Sequence, residues 1–201
     1  MLKVGLTGGL ACGKTFVGQA LAGLGCHLIQ ADEIGHQVLL PTGEAYNDVV
    51  REFGSGILNE DGTIDRKRLA AEVFDRPERL AALNRLVHPP VFRRERELIR
   101  KFAESDPHGI VVVEAAILIE TGTYKEYDRL ILVECEERQQ IERAVKRDHA
   151  DRAAVMARLS RQMPLAEKKK FANYLIDTSG SKEDTLRRVR EVYDALRRIE
   201  A

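Results

Sequence analysis

The stretch Gly8-Gly9-Leu10-Ala11-Cys12-Gly13-Lys14-Thr15 combines what is needed to hold a polyphosphate: small residues that let main-chain N–H groups close on oxygens, a cation and a hydroxyl. Its spacing, G-x-x-x-x-G-K-[ST], is that of the P-loop. Gly8, Gly9 and Gly13 are expected to supply positive φ and close approach, and the following helix turns its positive dipole end to the anion. Lys14 adds a mobile charge, and Thr15 offers a hydroxyl to Mg²⁺. Such a loop binds a nucleoside triphosphate without saying where the γ-phosphoryl group goes. Transfer to an alcohol needs a carboxylate to orient or deprotonate the hydroxyl, and cations to neutralise the migrating group. Asp32 is the candidate carboxylate; its alternative role is a helix N-cap. Arg143 and Arg147, spaced i and i+4, are candidate cations; their alternative is a surface ladder with Glu142 and Asp148. Glu114 closes an apolar run and could hold Mg²⁺ or activate water, which keeps an ATPase reading open.

The elements that must position these groups read as alternating strands and helices. Residues 2–7 precede the loop as a buried strand, and residues 15–24 carry Val17, Leu21 and Leu24 at helical spacing. A second apolar run, 26–29, ends just before Asp32, at the strand end that faces a nucleotide in open α/β sheets. The β-branched run 110–113 predicts a strand buried on both faces, and 130–133 and 174–177 predict two more. In a terminal helix over 182–199, Leu186, Val189, Val192, Tyr193, Leu196 and Ile199 form the expected buried stripe. Residues 34–108 read as mostly helical: Asp65 is a cap and Pro77 a first residue, while His88-Pro89-Pro90 should kink or break a long helix. Two further helices are expected over 136–148 and 152–163. The class is therefore α/β, a parallel sheet flanked by helices.

Composition narrows the partners. Across 201 residues, 32 Lys and Arg balance 32 Asp and Glu, which gives no support to nucleic-acid or anionic-membrane binding. Locally, residues 138–170 hold ten basic against four acidic residues. Beside a P-loop such a cluster suits phosphate contact and a flap that excludes water. Cys12, Cys26 and Cys135 lack C-x-x-C spacing, so no disulfide framework or zinc site is expected, and a reducing cytoplasm is the simplest setting. No leader or apolar run of about 20 residues is visible, so a soluble protein is expected. A base-reading N-K-x-D is absent, and the D-x-x-G at 106–109 precedes a strand, which argues against a GTPase. Nothing in the sequence sets an oligomeric state.

Several motifs in order carry a resemblance: Gly5 through Thr15, Ala31-Asp32, Leu83-Asn84 with His88-Pro89, Gln140-x-x-Arg143-x-x-x-Arg147, Gln162-Met163-Pro164, and Tyr174-x-Ile176-Asp177-x-Ser179-Gly180-Ser181. Together they resemble the dephospho-CoA kinases, nearly end to end. The resemblance implies a P-loop kinase fold with a five-stranded parallel sheet, and MgATP-dependent phosphorylation of the ribose 3′-hydroxyl of dephospho-CoA. It also implies a core of about 1–33, 109–137 and 171–201, a helical substrate subdomain of about 34–108 and a lid of about 138–170. Lys14 and the segment Gly9, Ala11, Cys12, Gly13, Thr15 and Phe16 would wrap ATP, with Thr15 on Mg²⁺. Asp32 would be the base or the positioner of the hydroxyl, and Arg143 and Arg147 lid cations. Ser179 and Gly180 would lie near adenine, and Glu114 and His88 on the substrate side, His88 alternatively being a structural histidine that stabilises the kink. Other readings remain a related small-alcohol or nucleotide kinase and a switch ATPase. The chain departs from the family at Gln30 and His36, where Asp and Arg are common, at Glu114 for Asp, and at Cys12 for Ser. Cys12 is expected to be thiol-reactive if the helix end lowers its pKa.

Overall fold

In the computed structural model, which describes residues 1–200, five strands alternate with helices. Strands β1 (Leu2–Gly8), β2 (His27–Gln30), β3 (Ile110–Glu114), β4 (Arg129–Glu134) and β5 (Tyr174–Asp177) form one sheet in the order β2-β3-β1-β4-β5. Every pairing is parallel. The register places Gln30 and Leu6 beside Glu114, Gly8 beside Val133, and Glu134 beside Asp177, so the carboxyl ends of all five strands share one edge. That edge is where open α/β sheets bind ligands.

Two units are distinct in the chain, residues 1–30 with 101–201, and residues 31–100. In the first, helix α1 (Lys14–Gly23) buries Val17 and Leu21 against β1, β3, β4 and β5. The terminal helix α9 (Lys182–Glu200) joins the same core through Val189, Val192 and Leu196. Full burial of an aliphatic side chain of this size contributes about 1.5–3 kcal/mol. The stripe is narrower than expected, because Leu186 and Ile199 are 43% and 41% exposed, and Thr185 is buried instead.

The second unit holds α2 (Ala31–Gln37), α3 (Tyr46–Phe53), α4 (Arg66–Val73) and most of α5 (Pro77–Ser105) around Val49, Phe53, Ile57, Ile64, Leu69 and Ala82. Asp65 caps α4 as expected, accepting from the N–H groups of Lys67 and Arg68. Pro77 is the first residue of α5. The break expected at Pro89-Pro90 does not occur, since α5 runs unbroken for 29 residues. Two prolines remove two N–H donors, but Pro90 and Val91 are buried, and that packing holds the helix through the gap.

Candidate active site

The P-loop joins the end of β1 to the first turn of α1, and its backbone explains its residue types only partly as expected. Positive φ occurs at Gly13 (82°) and at Ala11 (54°), not at Gly8 or Gly9. Gly8 is needed for another reason: a Cβ there would lie 2.3 Å from the carbonyl oxygen of Val133 on β4. The loop is thus pressed onto the neighbouring strand, which fixes where its N–H groups face. Lys14 Nζ lies over the loop, 3.4 Å from the Gly8 carbonyl and 3.2 Å from that of Gly9.

Glu114, at the carboxyl end of β3 and only 6% exposed, joins two groups that the sequence keeps far apart. The Thr15 hydroxyl donates to its Oε1 at 2.8 Å, and Gln30 Nε2 donates to its Oε2 at 3.1 Å. The Gln30 departure has a local reason. In the parallel register Gln30 sits directly beside Glu114, where an amide hydrogen-bonds the carboxylate that a second acid would repel. A hydroxyl and a carboxylate 2.8 Å apart beside a lysine form an all-oxygen donor pair. That pair suits Mg²⁺, which takes one or two protein oxygens and completes its shell with water and phosphate.

A third contact set reaches the loop from the basic segment. Arg143, on α6 (Glu137–Asp148), donates from Nη1 to Thr178 Oγ1 at 3.0 Å and from Nη2 to the Thr178 carbonyl at 2.8 Å. The buried Thr178 hydroxyl donates in turn to the Cys12 carbonyl at 2.8 Å. The guanidinium is thereby fixed to the phosphate loop through one residue. Thr178 escaped the sequence reading as a site residue. Its signal was its place immediately after β5, at the ligand-facing edge.

Arg147 behaves differently. Its Nε and Nη2 fork onto Asp148 at 2.7 and 3.0 Å, and Arg158 of α7 (Arg152–Leu159) adds a third bond at 2.7 Å. The ladder alternative therefore describes Arg147 here, while Arg143 turns to Thr178. Hydrogen bonds from Arg147, then Arg158, hold the Asp148 carboxyl at about 2, below its ordinary 3.8. A depressed carboxylate stabilises the fold above its unfolded pKa, and that contribution is lost as pH falls through the folded value. The melting-temperature gap between wild type and Asp148→Asn should be open at pH 6 and should close between about pH 4 and pH 2. A gap that stays constant over that window would remove the ion-pair explanation.

The rest of the basic segment is α7, a turn, and α8 (Leu165–Lys168); α7 ends at Leu159, short of the expected 163. It touches the loop where Gln162 Oε1 accepts from the Leu10 N–H at 3.0 Å, and Leu10 packs with Ile141, Ala144 and Val155. Its base is held by Lys168, fully buried against Glu120 at 2.7 Å, and by Lys169 on Glu134 at 2.7 Å. Neither lysine was singled out, because a run of three reads as a solvated face.

The other expected residues fall as follows. Phe16 lies in the first turn of α1 with the Lys182 ammonium 6.0 Å from its ring centre. Ser179 is held from three sides: its N–H donates to Asp177, its hydroxyl accepts from the Glu136 N–H, and its carbonyl accepts from Gln139. Gly180 beside it is exposed. In the second unit, Asp32 is exposed in the first turn of α2, and His36 pairs with Glu33 at 3.6 Å. His88 packs against Phe92, ring centres 5.7 Å apart, and burial lowers its pKa. Cys12 corrects an expectation. It is fully buried, its sulfur lies 3.5 Å from that of Cys135, and that thiol contact together with burial pushes its pKa up, so it is not an activated surface thiol.

A parallel 2-3-1-4-5 sheet with a P-loop at β1 and a basic helical segment over its carboxyl edge defines a P-loop kinase. At the level of fold, a shikimate kinase from Bacteroides thetaiotaomicron superposes with a TM-score of 0.51 over 97% of this chain and 98% of that one, at 15% identity. The family is narrower. The dephospho-CoA kinase family model matches residues 2–184, and the dephospho-CoA kinase of Aquifex aeolicus is 39% identical over 198 residues, 98% of this chain and 99% of that one. A dephospho-CoA kinase from Campylobacter jejuni shares the fold at a TM-score of 0.72, with 24% identity over 99% of this chain and 98% of that one. The chain belongs to the dephospho-CoA kinase family.

Proposed function

We infer that the chain transfers the γ-phosphoryl group of ATP to the ribose 3′-hydroxyl of dephospho-CoA, giving coenzyme A and ADP in the last step of coenzyme A synthesis. Beyond family membership, the observation that carries this reading is the Arg143–Thr178–Cys12 chain, which fixes a cation to the phosphate loop. A phosphoryl-transferring site needs that feature most, because the chemistry is mainly positioning and charge neutralisation.

Each residue then has a role. Gly9 and the segment Ala11 to Phe16 wrap the triphosphate, and Lys14 neutralises its β- and γ-oxygens. Thr15 and Glu114 are the proposed holders of Mg²⁺, which when bound would spread the charge of the phosphate oxygens. Arg143 stabilises the charge on the migrating group, with Arg147 adding to the positive field of the lid, residues 138–170. Ser179 and Gly180 border the adenine. Asp32 receives the proton of the attacking hydroxyl, and residues 34–108 with His88 supply the acceptor side. No helix among the described residues is long and apolar enough to cross a membrane. A cytoplasmic setting, and a small molecule rather than nucleic acid as partner, complete the reading.

Incubating the protein with MgATP and dephospho-CoA should yield coenzyme A and ADP in equal amounts by mass spectrometry. ADP released without coenzyme A, at the same rate with and without acceptor, would sink the proposal. Asp32→Asn should keep the fold and lower kcat by about 10²-fold or more. Near-normal kcat would make Asp32 a helix-terminal charge and move the search for the base to Glu114.

A further inference from the structure

We propose that Cys12 and Cys135 form a peroxide-driven modification site, in which a reversible disulfide between the P-loop and the end of β4 turns the enzyme off. The two sulfurs lie 3.5 Å apart although 123 residues separate them in sequence. At that distance each sulfur is within reach of a sulfenic acid formed on the other.

The two thiols are not equivalent, and the difference gives the reaction an order. Cys12 is fully enclosed. Cys135 is also buried, at 6% exposure, but it stands in the wall of a cavity of about 560 Å³ with Gly9, Gln140, Met163 and Leu165, a space that admits a molecule as small as hydrogen peroxide. Its anion is also the better supported: the hydrogen bond with Cys12 leads, and the nearby Arg143 charge adds to it, so its pKa lies below the ordinary thiol value. The sequence is then balanced in two steps. The Cys135 thiolate attacks one peroxide oxygen, the O–O bond breaks, and with one proton taken up the products are a sulfenic acid and water. The Cys12 thiol then attacks that sulfur, and its proton leaves with the departing hydroxide as a second water, closing the S–S bond. Two thiols are oxidised, one peroxide is reduced, and a thiol reductant reverses the change.

The consequence for turnover is geometric. A disulfide needs its sulfurs about 2.05 Å apart, so closure brings the two together by roughly 1.5 Å, movement shared between the P-loop and the end of β4. The Cys12 carbonyl is the acceptor through which Thr178 ties Arg143 to the loop, and Gly13 and Lys14 follow directly. Displacement of about 1 Å in groups that position a reacting phosphate costs on the order of 10²-fold in rate. Cys26, also buried and with its thiol pushed up to about 12 by burial, is not part of the pair and serves as an internal control.

The test treats the full-length protein with millimolar hydrogen peroxide. Expected are a mass loss of about 2 Da, a crosslinked peptide joining Cys12 to Cys135, and a drop in coenzyme A formation of at least about 10-fold that dithiothreitol restores. Cys135→Ser should keep the reduced activity, show no mass loss and resist the peroxide; Cys135→Ala serves the same purpose if the serine variant is unstable. The activity readout rests on the kinase reading, whereas the crosslink is read by mass alone, so the two can fail separately. A crosslink without loss of activity, activity loss without the crosslink, or addition of oxygen at Cys26 or methionine in its place each overturns the switch.

Discussion

Lys14→Ala is expected to lower kcat by about 10²-fold to 10³-fold while the protein stays folded. Lys14 is the first residue of α1, where the helix dipole is positive, so the ammonium is poorly placed for helix stability. The melting temperature should therefore hold or rise slightly, which separates this variant from a folding defect. What the cation does is visible in its position. Its Nζ sits over the Gly8 and Gly9 carbonyls, so it can swing onto phosphate oxygens held by the loop without any backbone movement. Charge on those oxygens redistributes most as the γ-group leaves, so more of the loss should fall on kcat than on KM for ATP. Lys14→Arg should recover only a small part of the rate. A planar fork is not equivalent to a compact ammonium that rests on the Gly8 and Gly9 carbonyls at 3.4 and 3.2 Å. Near-wild-type kcat for Lys14→Ala would deny the residue its assigned role.

How much of this was legible in the sequence depends on distance along the chain. The P-loop, β1 and the start of α1 are contiguous, and the β-branched run 110–113 carries its own evidence of double-sided burial, so both strands and the loop's place between β1 and α1 are legible, though the positive φ falls at Ala11 and Gly13 and not at Gly8 or Gly9. The cap at Asp65 and the start at Pro77 are local as well. The failures are non-local. His88-Pro89-Pro90 reads as a kink or break, and α5 nevertheless runs through it, because propensity cannot see the burial of Pro90 and Val91. Leu186 and Ile199 fit a helical stripe, but the core beneath α9 buries Val189, Val192 and Leu196 and partly covers Tyr193, leaving the first two exposed. At the site the same rule holds. Gln30 looked like a lost acid until the register of β2 on β3 put it beside Glu114. Arg143 and Arg147 looked alike until Thr178, from the far end of the chain, claimed one, and Asp148 the other.

That division between the two arginines leads to a result that sequence spacing alone would not suggest. Arg143→Ala should reduce kcat by about 10²-fold to 10³-fold, whereas Arg147→Ala should cost about 10-fold or less. An equal loss at both positions would contradict the distinction. Arg143→Lys keeps the charge but loses the two-nitrogen fork that grips the Thr178 hydroxyl and carbonyl together, so it should fall between wild type and alanine. Thr178→Val separates position from charge. It removes the hydroxyl that accepts from Arg143 and donates to the Cys12 carbonyl, while Arg143 keeps its bond to the Thr178 main chain. A loss of about 10-fold in kcat is expected, with little change in the binding of a non-hydrolysed ATP analogue. If Arg143 acts through its link to the loop, combining Thr178→Val with Arg143→Ala should cost little more than Arg143→Ala alone. Fully additive losses would mean that Thr178 and Arg143 act independently, and the guanidinium would then be a lid cation that reaches the phosphates without the loop's help.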